Sequence, residues 1–168
     1  METNHDLFLA LSSELTGYSE MDLLGTGLLK SYQELVEEEI GKEVSQFLYD
    51  SAKLVLVHKK SSDRSSAMRI YITASPMLWG VCKSIIMLWY YGEWTSMTAV
   101  WYRYYARMNP NDGITPGKTI VPSAAAYTQQ LSYRAAGAHP PGAHPTGFGS
   151  WGLEPVFGDF TTEKKAIS

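Results

Sequence analysis

Ser75 to Gly92 reads S-P-M-L-W-G-V-C-K-S-I-I-M-L-W-Y-Y-G, and this stretch decides the fold class. Serine caps a helix start by accepting from a free backbone N–H, and the proline after it suits the first helical position, where no N–H is needed. The apolar run from Pro76 continues to Tyr91 and stops at Gly92, a residue that tolerates the left-handed conformation at a helix end. A helix apolar nearly all round belongs at the centre of a bundle, buried by other helices or by a partner. It is shorter than the roughly 20 residues that cross a bilayer and carries Lys83 mid-way, so no transmembrane span is read here. Cys82 is the single cysteine. It sits among these apolar residues as a buried, inert thiol, and it excludes an intrachain disulfide and any Cys-based zinc cluster.

Upstream, the spacing predicts three more helices. Leu7, Phe8, Leu11 and Leu15 share one helical face between a cap at Asn4 and a stop at Gly17. Ser19 with Asp22 three positions on resembles a capping box and opens a helix that turns Leu24, Leu28, Tyr32, Leu35 and Val36 inward until Gly41. A third runs from Lys42 to His58 with Val44, Phe47, Leu48, Ala52 and Val55 on its core face, and the tight turn at Gly41 makes it antiparallel to its predecessor. Ser61 to Ser66 reads as a polar linker, and Ile70 to Thr73 is ambiguous. His58, Lys59, Lys60, Arg64 and Arg69 form a basic cluster that reads as a solvated helix end and loop.

Downstream, Trp94, Trp101, Tyr102, Tyr104 and Tyr105 follow neither helical nor strand period cleanly. Asn109 to Gly117 is a loop, and Pro122 to Ala135 predicts a short helix with Tyr127, Leu131 and Arg134 near one face. From Gly137 the composition changes to glycine and proline interspersed with His139, His144, Phe148, Trp151 and Phe157. Such composition opposes regular structure, yet disordered tails are usually poor in aromatics. The expected organisation is mainly α: a small helical bundle over residues 1–136 and an extended, partner-embracing arm over 137–168.

Charged residues make up only 18% of the chain, below the roughly 25% of an average soluble protein, while it holds 5 Trp and 11 Tyr. Little charge and many aromatics suit a surface that another protein covers. A net charge of -3 and a pI near 5.8 leave no basic domain for phosphates, so nucleic acid is a poor partner. No nucleophile with its base, carboxylate pair, metal constellation or phosphate cradle stands at a recognisable spacing. Gly25, Thr26 and Gly27 lack the preceding strand and third glycine of a nucleotide loop. Glu37, Glu38 and Glu39 are consecutive and diverge around a helix, as a solvated face does. His139 and His144 have no third ligand near them in sequence. The residues read as a partner interface are His139, Pro140, His144, Phe148, Trp151 and Phe157, and no catalytic, cofactor or metal site is read in this chain. A self-sufficient carbohydrate-binding or scaffold module, and an enzyme with an unrecognised site, are the other readings.

Three blocks carry a resemblance: Phe8 to Gly17 (F-L-A-L-S-S-E-L-T-G), Ile85 to Gly92 (I-I-M-L-W-Y-Y-G), and Tyr127 to Trp151 with its H-P-T-G-F-G-S-W ending. Together they resemble the small subunit of FAD-dependent sorbitol, glucose and gluconate-type dehydrogenases, whose pattern includes F-x-x-L-S-x-x-L-T-G and W-Y-x-G. The resemblance implies a division of labour. A large flavoprotein of the glucose-methanol-choline type holds FAD and oxidises sugars, polyols or glycosides, and in several members a multihaem cytochrome c accepts the electrons. The small subunit does no chemistry and supports folding and stability of the large one. It often brings a twin-arginine leader, and a periplasmic place follows. This sequence has no Arg-Arg leader, its polar start from Met1 to Asp6 is no signal peptide, and as a complete chain it would stay in the cytoplasm.

Overall fold

Thr3 starts the first helix, and the computed structural model describes residues 3–106 and 116–138 of the chain. The Thr3 hydroxyl accepts from the Asp6 amide while Asp6 returns a bond to the Thr3 N–H, a closed capping box that opens α1 (Asn4–Thr16). The cap is therefore Thr3 and not Asn4, which lies one residue inside. Gly17 ends α1 at φ 77, as its lack of a Cβ allows. Leu7, Phe8 and Leu11 are fully buried, each worth about 1.5–3 kcal/mol of transfer free energy.

Ser19 caps α2 (Glu20–Gly25) through the Asp22 amide, as the sequence predicts. That helix does not run on to Gly41. Gly27 takes φ 70, the Thr26 hydroxyl bonds back to the Leu23 carbonyl, and the chain restarts as α3 (Leu29–Leu56). The break turns Leu24 outward, whereas Leu28, Tyr32 and Val36 enter the core.

Gly41 interrupts α3 at φ 76, ψ 166. Across the break the Tyr49 hydroxyl donates to Glu37 Oε1. In an unbroken helix these two residues would be separated by about 18 Å along the axis, so the second half folds back on the first, as the glycine predicts. Val44, Leu48, Ala52 and Val55 are buried as expected, but Phe47 faces outward.

Ser61 to Ser66 is not a linker. It belongs to α4 (Ser61–Met68), held by an Arg64–Glu14 ion pair at 2.8 Å and by burial of Ala67. A π-helical turn (Arg69–Thr73) follows and buries Ile72. Ser75 then caps α5 (Pro76–Tyr91), with Pro76 in the first turn and Gly92 closing the helix at φ 69. Helix α5 packs against α1, α3, the π-helical turn and α8. Trp89 is buried edge-on against Tyr32 with ring centroids 4.8 Å apart, an arrangement favoured by the ring quadrupoles.

The aromatic stretch after α5 uses three local conformations, which is why no single period fits it. Strand β1 (Trp94–Thr95) pairs antiparallel with β2 (Thr119–Ile120), Trp94 opposite Ile120. Between them lie α6 (Ala99–Trp101) and a π-helical turn (Tyr102–Ala106). Pro122 to Ala135 is two single turns, α7 (Ala124–Thr128) and α8 (Leu131–Ala135), because Gln130 is extended at ψ 142 between them. The architecture is mainly helical with one small ribbon. Of the expected arm, residues 137–168, Gly137 and Ala138 are described and residues 139–168 lie outside the described residues.

Candidate functional site

His139, Pro140, His144, Phe148, Trp151 and Phe157, the interface residues read from the sequence, all fall outside the described residues. The structure does describe the segment that precedes them in the chain. Tyr90 donates from its hydroxyl to the Thr16 carbonyl at 2.9 Å, and its ring meets Tyr18 edge-on at 6.2 Å. The Tyr18 hydroxyl reaches the Leu131 carbonyl at 3.4 Å, and Arg134 stands 3.8 Å from Asp22. A Cβ on Gly92 would lie 2.4 Å from the Ala126 carbonyl oxygen. These ties gather the α1–α2 junction, the C-terminal end of α5, α7 and α8 at one end of the molecule. The described chain ends there at Ala138.

An open groove of about 450 Å³ lies beside the first half of α5, lined among others by Lys83, Ser84, Met87, Ser96, Thr98 and Trp101. Its Trp101 is not a stacking platform. The indole N–H donates to the Met77 carbonyl at 3.0 Å, the ring abuts Gly80, and only 6% of the residue is exposed. Trp94 and Tyr102 are likewise buried, leaving Tyr104 exposed from this aromatic stretch. The ring faces that a sugar would stack on are mostly packed inside the protein.

The acidic run is not one solvated face. Glu38 is exposed, but Glu37 and Glu39 are half-buried. Glu37 accepts from Tyr49 and from the Gln33 side-chain amide at 2.8 Å, and Glu39 accepts from the Ser96 hydroxyl at 3.1 Å. Burial, reinforced by the hydrogen bond and charge of Glu37, pushes the Tyr49 hydroxyl above its ordinary range. Burial likewise raises Tyr102, with the nearby Glu39 carboxylate adding to the shift. These carboxylates tie the fold-back of α3 and the 94–101 segment together and do not converge on one point.

Cys82 is buried, and desolvation pushes its thiol up to about 12, which leaves no thiolate for nucleophilic chemistry near neutral pH. In the basic cluster, Arg64 is half-buried and paired with Glu14, while His58, Lys59, Lys60 and Arg69 are exposed. Among the described residues no group of three or more His, Cys, Asp or Glu side chains could hold a metal ion. No single described helix is long and apolar enough to cross a membrane. The chain matches no family model, no curated protein and no solved structure.

Exposed apolar side chains were the feature that sequence reasoning missed. On the second half of α3 and at its C-cap, Phe47, Leu54 and Val57 point outward. Their spacing puts them along one flank of a helix whose other side is core. On α2, Met21 is 78% exposed and Leu24 47%, and on the last turn of α5 Tyr91 is 55% exposed. The signal was present: Met21 and Leu24 stand three apart, as neighbours on one helical face do.

Proposed function

We propose that this chain is a non-catalytic accessory subunit that assembles with, and stabilises, a large FAD-containing dehydrogenase of the glucose-methanol-choline type acting on sugars, polyols or glycosides. The observation that carries the reading is the set of large apolar side chains left in water by helices whose core faces are already complete, Met21, Phe47, Leu54, Val57 and Tyr91 among them. Met21 stands three residues from Leu24 on α2, and Phe47, Leu54 and Val57 share one flank, and apolar side chains grouped in this way favour cover by another protein. The class of partner comes from the resemblance of Phe8 to Gly17, Ile85 to Gly92 and Tyr127 to Trp151 to the small subunits of such enzymes.

In this reading FAD and the reacting groups belong to the partner. The chain contributes area and order: the helical body is one half of the interface and the arm, through His139, Pro140, His144, Phe148, Trp151 and Phe157, is the other. Binding only the folded partner raises its stability by mass action. The test is to make the chain and the large flavoprotein encoded beside it, separately and together, and to compare co-elution, flavin absorbance and dye-linked turnover. A yellow, active complex that requires both chains supports the reading. A flavoprotein fully active and stable by itself, with this chain eluting apart from it, overturns the reading in favour of a self-sufficient binding module.

A further inference from the structure

We infer that the hydrogen-bond chain Tyr49–Glu37–Gln33–His5 has a single donor order, set by the Glu37 carboxylate, and that it holds neutral His5 as the Nδ1–H tautomer, presenting Nε2 as an acceptor on the surface of α1. Three stretches of sequence meet in this chain of bonds. Gln33 and Glu37 stand four apart on the first half of α3, where such side chains are neighbours. Tyr49 arrives from the second half of α3, folded back at Gly41, and His5 from the first turn of α1.

The order follows from which atoms have protons to give. Tyr49 is buried as a phenol, and its hydroxyl donates to Glu37 Oε1. The same oxygen lies 2.8 Å from the Gln33 side chain. A carboxylate oxygen only accepts, so the Gln33 atom that faces it is the amide nitrogen. The carbonyl end of that amide is then turned toward His5, 2.8 Å from Nδ1. An amide oxygen has no proton to offer, so Nδ1 must carry it. Asp6, the carboxylate next to His5 in sequence, does not compete, because its Oδ2 accepts from both the N–H and the hydroxyl of Thr3. His5 is exposed, and its Nε2 has no hydrogen bond among the described residues. A histidine free in water favours the opposite tautomer, Nε2–H. The relay therefore reverses what the ring shows its surroundings: a group that recognises neutral His5 must donate to it.

The test is a long-range proton–nitrogen correlation spectrum of the full chain, isotope-labelled at histidine, at about pH 8.5, where an ordinary imidazole is neutral. The chain has four histidines, and His5→Gln identifies the His5 signals by their loss. The expected spectrum has Nε2 of His5 at the downfield position of an unprotonated ring nitrogen and Nδ1 at the upfield position of a protonated one. Exposed His58, whose ring has no partner among the described residues, should show the reverse. Gln33→Met removes the amide and should return His5 to the His58 pattern. Tyr49→Phe should leave the His5 pattern unchanged, because Glu37 still orients Gln33. Wild-type His5 protonated at Nε2 overturns the inference without any variant having to fold. A Gln33→Met form still protonated at Nδ1, or a Tyr49→Phe form that switches to Nε2–H, overturns the assigned order.

Discussion

Replacing Gly92 with alanine should cost far more than an ordinary helix-end substitution, because two separate effects coincide there. Gly92 sits at φ 69, ψ 18, in the left-handed region, where an L side chain costs about 1–2 kcal/mol. The new Cβ would also stand 2.4 Å from the Ala126 carbonyl oxygen and 2.7 Å from its carbon, well inside the roughly 3.5 Å of a comfortable contact. Those atoms are backbone of α7, so no side chain can rotate away. Either α7 lifts from the end of α5 or the last turn of α5 unwinds, and overpacking of this kind adds about 1–3 kcal/mol. Gly17→Ala is the matched reference. It caps α1 at φ 77 with nothing within 4 Å of its would-be Cβ, so it pays the conformational cost alone. Urea unfolding of the two variants should differ by about 1–3 kcal/mol, or about 2–4 °C in melting temperature for each kcal/mol. Equal losses would refute the reasoning, since α7 would then not rest on Gly92.

Other consequences follow from particular contacts. Tyr49→Phe removes a donor to half-buried Glu37, which keeps its bond from Gln33; urea unfolding should show a loss of about 0.5–1.5 kcal/mol, and an unchanged stability would contradict the fold-back of α3 at Gly41. The Cys82 thiol moves from 9.0 to about 12 on folding, and burial also raises Tyr32 and Tyr49 from 10.0. The folded protein keeps protons that the unfolded chain releases, so stability is full below pH ~9 and declines toward pH ~12, by up to about 1.4 kcal/mol per pH unit for each group. Urea midpoints measured from pH 8 upward should fall, and should fall less steeply between pH 9 and 10 in Cys82→Ala; a flat or rising profile would count against these burials. In the arm, Trp151→Ala should weaken association with the flavoprotein by about 2 kcal/mol, roughly thirtyfold in dissociation constant by calorimetry, and an unchanged constant would remove Trp151 as an anchor.

The parts of the fold legible in the sequence are those governed by near neighbours. Ser75, Pro76 and Gly92 bound α5 as read, Ser19 caps α2 through Asp22, and Gly17 and Gly41 take the positive φ that no other residue adopts cheaply. What escaped depends on distant partners. The serine-rich helix α4 has weak intrinsic propensity and is held by Glu14, fifty residues upstream of Arg64. Glu39 looked solvated because its partner, Ser96, lies across the fold. Leu24 and Phe47 fit a core pattern by spacing, but Gly27 re-aims the first, and the second sits on the flank that α3 leaves uncovered. The exposed apolar side chains are a harder case. Met21 and Leu24 on α2 and Tyr91 on α5 belong to helices whose buried side is chosen by contacts distant in sequence, such as those of Tyr90 with Tyr18 and Thr16.

The most direct test of the accessory-subunit account is the unfolding temperature of the large flavoprotein, followed by release of flavin fluorescence, as this chain is added in increasing amount. The account predicts a rise that continues past saturation, equivalent to about 2.7 kcal/mol when the free chain reaches about a hundred times its dissociation constant. An unfolding temperature that does not move over that range would contradict it.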